Sequence, residues 1–455
     1  MKNYLSLILA IVTLTGSALA QGQTSQTFSL QESINYALQN RASLQVNRNE
    51  EKIAKAQVGE IRSMGLPQVN GILDVGNNFV QQQQFLPGEF FNDPNDPESP
   101  QPGSFVPVTF TPAYTGNAVL TGSQLLFDGT YLIGLKAAKT YTELSKKSTR
   151  QSEIEVAEQV SKAYYGVLVN RERMELLNQN ITRLDTVLNQ TRIMFDNGVA
   201  EKLDVDRLRV SLNNLKVEKQ KAQRLMDLSE SLLKFQMGID QKQPIVLTDK
   251  LAEVEVSVAA VTPQDFDYSR RVEYSILETQ RDLAELDLRN RRSGYLPKLY
   301  LNARYGYNAA NNEFQQITKT RNWLEYGYVG GQIQLPIFDG LRKHYQIQQA
   351  RIALDNTKYG FETLRQSIDL QIDQSATELT NALDVLDSQR ENLELAEDIA
   401  RVAKIKFQEG VGSNLEVITA ETDLRQAQTN YYAAIYDALI AKVNLEKATG
   451  TLLTK

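Results

Sequence analysis

Residues 295–308 read YLPKLYLNARYGYN, and residues 65–78 read GLPQVNGILDVGNN. Each stretch sets a Leu-Pro before about ten residues whose apolar and polar side chains alternate, the period of a β-strand and not of a helix. In the later stretch Leu299, Leu301, Ala303, Tyr305 and Tyr307 point one way, and Tyr300, Asn302, Arg304 and Asn308 the other. In the earlier one Val69, Leu73, Val75 and Phe79 oppose Asn70, Asp74 and Asn78. Two further stretches alternate: Val329, Ile333, Leu335 and Ile337 oppose Tyr328, Gln332 and Gln334, and Ala118 to Phe127 does so more weakly. Strands of this length match a tilted crossing of a hydrocarbon layer, with one face for lipid and one for water. A half-buried soluble sheet shows the same alternation, so the pattern alone leaves both open. Phe79, Tyr114, Trp323 and Tyr326 near the strand ends fit an interfacial girdle or ordinary edge aromatics.

The two stretches are 230 residues apart, and other landmarks recur in the same order. Leu126-Phe127-Asp128-Gly129 returns as Ile337-Phe338-Asp339-Gly340 after 211 residues. Phe195-Asp196-Asn197-Gly198-Val199 returns as Phe407-Gln408-Glu409-Gly410-Val411 after 212. An ordered set of this kind indicates a tandem duplication. The halves are 21–245 and 246–455, each running helix, strand, loop, strand, long helix, turn, long helix. Strands are expected at about 68–80 and 115–127, then about 298–307 and 326–338, with helix-hairpin turns near 196–202 and 408–414. Gly198 and Gly410 suit those turns, since a sharp break between antiparallel helices needs a residue that tolerates positive φ.

Proline placement fixes the helices. None lies between Pro112 and Pro244 or after Pro336, while seven of the twelve fall in residues 87–112. Chain without proline is chain that long helices can occupy. Val156, Val160, Ala163, Val167, Asn170, Met174, Leu177, Ile181, Leu184 and Leu188 follow alternating steps of four and three, a coiled-coil seam with one polar member. Leu379, Leu383, Leu386 and Leu393 repeat the habit, and a helix from Lys136 to Phe195 would extend about 90 Å. The segment Gln81 to Ala113 is polar, proline-dense and aperiodic, and is expected to be an external loop. Its Asp93, Asp96 and Glu98 lack the spacing of a calcium loop and suit a solvated acidic surface.

Composition removes several functions. With no Cys there is no disulfide scaffold, thiolate metal site, thiol nucleophile or lipid anchor on cysteine. His344 is the sole imidazole, and no cluster of acid, base and nucleophile stands out, so neither an enzyme nor a metal or other cofactor is expected. The balance of 49 basic against 55 acidic residues argues against nucleic acid as partner. Lys2, the apolar run from Tyr4 to Thr15 and Ala18-Leu19-Ala20 read as a signal peptide over residues 1–20. No later stretch has eighteen apolar residues without charge, so export leads to the periplasm, the exterior or an outer-membrane barrel.

Four strands in one chain cannot close a barrel, and an open edge in lipid leaves backbone groups unsatisfied at several kcal/mol each. A barrel therefore requires several copies of the chain. A periplasmic adaptor or a coiled-coil scaffold would also use long helices. The adaptor should carry one hairpin beside a β domain, and the scaffold needs no lipid-facing strands.

The signal peptide, the two halves, the Leu-Pro strands, the Phe-Asp-Gly turns at Asp128, Gly129, Asp339 and Gly340, the Phe-x-x-Gly-Val turns and the terminal LEKATGTLL together resemble the TolC-like outer-membrane efflux proteins. The resemblance covers essentially the whole chain after residue 20. It implies an α+β membrane protein of a Gram-negative cell: a homotrimer with a twelve-stranded outer-membrane β-barrel, four strands per protomer, continuous with a long periplasmic α-helical barrel. It implies an exit duct for efflux or type I secretion, working with a periplasmic adaptor (membrane fusion) protein and an inner-membrane transporter. Gly198, Val199, Gly410 and Val411 would then be adaptor-docking tips, and Asp204 and Glu416 would line the periplasmic aperture. Two departures from the family pattern stand out: Thr419 occupies the place of a further aperture acid, and Gly412 that of a basic residue able to latch the closed state. Cargo is not written in these residues.

Overall fold

The computed structural model describes residues 26–93, 96–251 and 266–453. The expected signal peptide lies outside the described residues. In chain order the elements are β1 (Gln26–Phe28), α1 (Leu30–Asn40), α2 (Ala42–Ser63), β2 (Gln68–Asn77), β3 (Gln83–Pro87), β4 (Phe105–Thr109), β5 (Tyr114–Phe127), α3 (Gly129–Asp196), α4 (Lys202–Met237), β6 (Ile245–Leu247), α5 (Val272–Ser293), β7 (Lys298–Asn311), β8 (Leu324–Gln334), α6 (Arg342–Gln408) and α7 (Asn414–Ala448). Among the described residues no helix is long and apolar enough to cross a membrane.

Two compact units form, and each draws on both halves of the sequence repeat. One comprises residues 52–144 and 279–358 and holds an antiparallel sheet in the order β2-β5-β7-β8. Strands from the two halves meet at the β5–β7 pairing, so the repeats share one sheet. The register decides which side chains share a face, because residues directly opposite project the same way. Val69, Gly122, Ala303 and Val329 form one row, and Leu73, Ala118, Tyr307 and Glu325 another. Leu299 faces Ile333 on the same side. The opposite face carries the rows Asn70, Thr121, Arg304, Tyr328 and Gln68, Ser123, Asn302, Gly330. The apolar sets expected from each strand separately therefore fall on one common face. Val69, Leu73, Val329 and Ile333 are all exposed in the single chain.

Strand ends differ from expectation in several places. β8 stops at Gln334, so Leu335 and Ile337 are not strand residues; Pro336 has no N–H to offer a ladder. β2 stops at Asn77, short of Phe79, while β7 runs on to Asn311. Trp323 lies over Gly116 and its indole N–H donates to the Ile317 carbonyl. Tyr326, expected in the same girdle, belongs to the polar face, where its hydroxyl donates to Asn117 Oδ1 at 2.8 Å. The proline-dense segment contains the β3–β4 hairpin, which the sequence pattern did not show.

The other unit comprises, among the described residues, 26–51, 145–251, 266–278 and 359–453. Its largest core joins α1, α3, α4 and α7 around Tyr164, Leu168, Leu233, Met237 and Leu439. Val156, Val160, Ala163 and Val167 of the expected seam lie in that core, and Leu184 lies in a second one toward the helix tips. Asn170, the polar member, donates to Ser229 Oγ at 2.7 Å. A three-residue parallel pair, β1 with β6, closes the large core beside Ser29, whose capping box with Glu32 starts α1. The terminal LEKATGTLL is held by Arg271, which is buried and donates to the Ala448 carbonyl at 2.8 Å, to Gln371 and to Glu273.

Candidate functional site

Both helix hairpins turn in the same way. After α3, the Val199 N–H donates to the Met194 carbonyl and the Gly198 N–H to that of Phe195. After α6, Val411 donates to Lys406 and Gly410 to Phe407. These are Schellman closures, and Gly198 and Gly410 take the left-handed φ of 74° and 75° that such closures require. The residue after the glycine ordinarily packs back on its helix. Here Val199 and Val411 are 71% and 76% exposed, so each tip presents an apolar side chain to its surroundings. Gly412 has a steric reason of its own: a Cβ there would lie 2.9 Å from Lys406 Cβ and 3.0 Å from Phe407 N. A basic side chain at that position would have to displace the turn.

Asp204 and Glu416 occupy equivalent places, the third residue of α4 and of α7. Carboxylates there interact favourably with the partial positive charge of the helix N-terminus. Asp204 Oδ2 accepts from the Glu201 N–H at 3.4 Å, while Ser413 caps α7 by accepting from the Glu416 N–H at 3.2 Å. The Glu416 carboxylate lies 3.7 Å from Lys406 Nζ. Thr419 is exposed one turn further along α7 and shares with Glu416, Val402 and Leu415 an open groove of about 740 Å³. The two helix starts touch directly, since buried Asn414 donates to the Asp204 carbonyl at 3.0 Å. Sequence reading missed that contact, and Asn414 carries no pattern that would have flagged it.

At the strand-to-helix turns the four expected residues behave unequally. Asp128 Oδ1 accepts from the Thr130 N–H at 2.7 Å, and Oδ2 lies 2.8 Å from Lys298 Nζ, tying the end of β5 to the start of β7. Burial pushes its carboxyl up, but Lys298 and Thr130 outweigh burial and hold it below the usual range. Gly129 begins α3 directly, with Leu296 2.9 Å from where a Cβ would sit. In the second half Gly340 and Leu341 both adopt positive φ, 66° and 65°, before α6 begins. Asp339 Oδ2 accepts there from the Lys343 N–H at 3.2 Å.

A sheet with one mostly apolar and one mostly polar face, two uncovered edges and two glycine-turned helix hairpins meets its match in sequence: residues 33–238 and 275–451 fit the family described as outer membrane efflux protein. The chain belongs to the outer membrane efflux protein family. That membership places it in the outer membrane of a Gram-negative cell, and it removes the adaptor and scaffold alternatives. Among relatives, the toluene efflux pump outer membrane protein TtgC of Pseudomonas putida is 25% identical over 320 residues, 69% of this chain. This chain spans 64% of the length of TtgC, under two thirds. The alkaline protease secretion protein AprF of Pseudomonas aeruginosa is 22% identical over 345 residues, 74% of this chain and 69% of AprF. Among solved structures, CusC superposes with a TM-score of 0.72 at 16% identity, covering 94% of this chain and 95% of CusC. The likeness to CusC fixes the fold of this efflux-family chain, four strands joined to long paired helices.

Proposed function

We propose that this chain is the exit duct of a tripartite efflux or type I secretion system. Three copies close a twelve-stranded barrel by pairing β2 of one with β8 of the next, and the polar sheet faces line a common lumen. The supporting observation is the sheet: one face is mostly apolar, with Glu325 its charged exception, the other is mostly polar, with the row Ile72, Val119, Gly306, Tyr326 its exception, and β2 and β8 are its outer strands. Closure by symmetry satisfies those edges in lipid. The names of TtgC and AprF span efflux and protein secretion, and both uses need a passive conduit. Substrates come from an inner-membrane transporter through a periplasmic adaptor that docks on the tips around Gly198, Val199, Gly410 and Val411. Asp204, Glu416 and Thr419 border the periplasmic aperture. No catalytic step is involved.

Detergent extraction of outer membranes tests the duct. The expected product is an oligomer of about three chains that dissociates on heating and conducts ions in a planar bilayer. A protein that is monomeric and soluble without detergent would refute it.

A further inference from the structure

The connection between β2 and β5 carries an aromatic surface that conduction through the lumen does not use. In the β3–β4 hairpin Phe85 pairs with Pro107 and Pro87 with Phe105, so these four share a face; Leu86, Val106 and Val108 take the other. Phe85 and Phe105 are 68% and 67% exposed, and Phe79, Phe90 and Phe110 are exposed as well. Grouped apolar surface of this kind marks a contact. The charges between Gln81 and Ala113 are Glu89, Asp93, Asp96 and Glu98, with no Lys or Arg.

Sheet order indicates what arrives beside this face. β2 and β7 are each antiparallel to β5, so the β2–β5 and β7–β8 connections leave the same end of the sheet. Within one chain the second connection already braces the base of the first: Asn312 Oδ1 accepts from the Ala113 N–H at 3.0 Å and from Gln81 Nε2 at 3.4 Å. β2 and β8 are the outer strands. When β8 of a second copy pairs with β2, the β7–β8 connection of that copy comes next to the hairpin. It supplies what the hairpin lacks, exposed Lys319 and Arg321 against the single acid Glu313, together with Phe314, which is half exposed beside its own Tyr114.

We propose that the Phe85 and Phe105 face of the hairpin is covered by the β7–β8 connection of a second copy of this chain, a strap across each junction between protomers at the end of the barrel away from the helices. Aromatic surface meets aromatic surface, and an acidic segment meets a basic one. The strap rests on the β2–β8 closure proposed for the duct.

The chain has no cysteine, so introduced thiols are unique. A Phe105→Cys chain with one affinity tag and an Arg321→Cys chain with another are co-expressed, and the extracted oligomer is treated with a short bismaleimide. The expected result is a covalent band bearing both tags. An intact oligomer without that band overturns the strap and leaves the duct standing, whereas failure to isolate any oligomer from the parent chain overturns both. A band joining two Phe105→Cys chains would mean that the hairpins meet each other, and it counts against the strap. So does quenching of a fluorophore on Cys-substituted residue 105 by brominated lipid, which would assign the face to the outer leaflet. As an independent measure, the Phe85→Ser, Phe105→Ser double variant should dissociate into monomers at a lower temperature than the parent; an unchanged temperature overturns the strap.

Discussion

Glu158 of α3 holds two lysines at once, Lys162 one turn along its own helix and Lys447 in the terminal LEKATGTLL, each 2.7 Å away. Burial pushes its carboxyl up, yet the two ammonium groups more than offset this and leave it below the usual glutamate range. A depressed carboxyl stabilises the fold fully above the unfolded value, near pH 4.3, and loses that contribution as pH falls through the folded value. Glu158→Gln should therefore lower stability at pH 7 by roughly 1.5–3 kcal/mol, the range for hydrogen bonds to charged groups. The difference from the parent should shrink below about pH 4, as the parent carboxyl protonates. Thermal unfolding in detergent from about pH 3 to about pH 8, followed by circular dichroism, measures both effects, since a free glutamate titrates at about 4.3. A pH-independent difference would assign the loss to packing instead. Neither Glu158 nor Arg271 stands out in the sequence, because the partners that tie them to the terminal LEKATGTLL, Lys447 and the Ala448 carbonyl, lie 289 and 177 residues away in the chain. The tip glycines do stand out, since a left-handed helix end is a local requirement that a single residue meets.

Helices and strands were legible to different degrees for the same reason, that periodicity reports which face is covered and not what covers it. The seam from Val156 to Leu188 locates α3, but Tyr164 and Leu168 off that seam are fully buried, because α1, α4 and α7 surround the helix on several sides. Alternation located β2, β7 and β8, while the short β3 and β4 were hidden by Pro87 and Pro107, which two-stranded edges tolerate. α7 shows a pattern visible only with its contacts. Asn414, Glu421 and Gln428 are seven residues apart, and each is polar and turned inward: Asn414 to the Asp204 carbonyl, Glu421 to Arg183 at 3.4 Å, Gln428 to Asn180 at 2.9 Å. A polar repeat inside a helical seam lowers stability and specifies one register. Asn180→Leu or Gln428→Leu alone should cost about 1–3 kcal/mol by stranding the other amide. Asn180 Oδ1 also accepts from Arg183, so the double variant should recover only the part of the loss that comes from the stranded amide; calorimetric unfolding of the three proteins closes the cycle, and additive losses would mean that the pair is not coupled.

In the duct proposed above, with Asp204 and Glu416 at its aperture, the carboxylates at the start of α4 and α7 would form a ring of charge. Three copies bring six groups, Asp204 and Glu416 from each, and Thr419 leaves a further position uncharged. A monovalent cation about 10 Å from one carboxylate gains about 0.4 kcal/mol in a water-like dielectric. Six carboxylates alone would sum to about 2.5 kcal/mol, which screening with a Debye length of about 8 Å cuts to less than about 1 kcal/mol. Lys406, 3.7 Å from Glu416, and Arg207, 4.0 Å from Asp204, offset part of that field, so the preference for cations over anions should be modest, at most about threefold. Asp204→Ala combined with Glu416→Ala should abolish this preference in planar bilayers at about 0.15 M salt, and Thr419→Asp should increase it. Raising the salt should shrink the difference between parent and variant, because the field acts through water. The local role of the two acids makes a second contribution separable. As third residues of their helices they also stabilise the tips by about 0.3–1 kcal/mol each, so Asp204→Asn and Glu416→Gln serve as shape-preserving controls. If the amide variants keep the cation preference of the parent while the oligomer stays intact, the two carboxylates are helix-terminal groups and the aperture lies elsewhere.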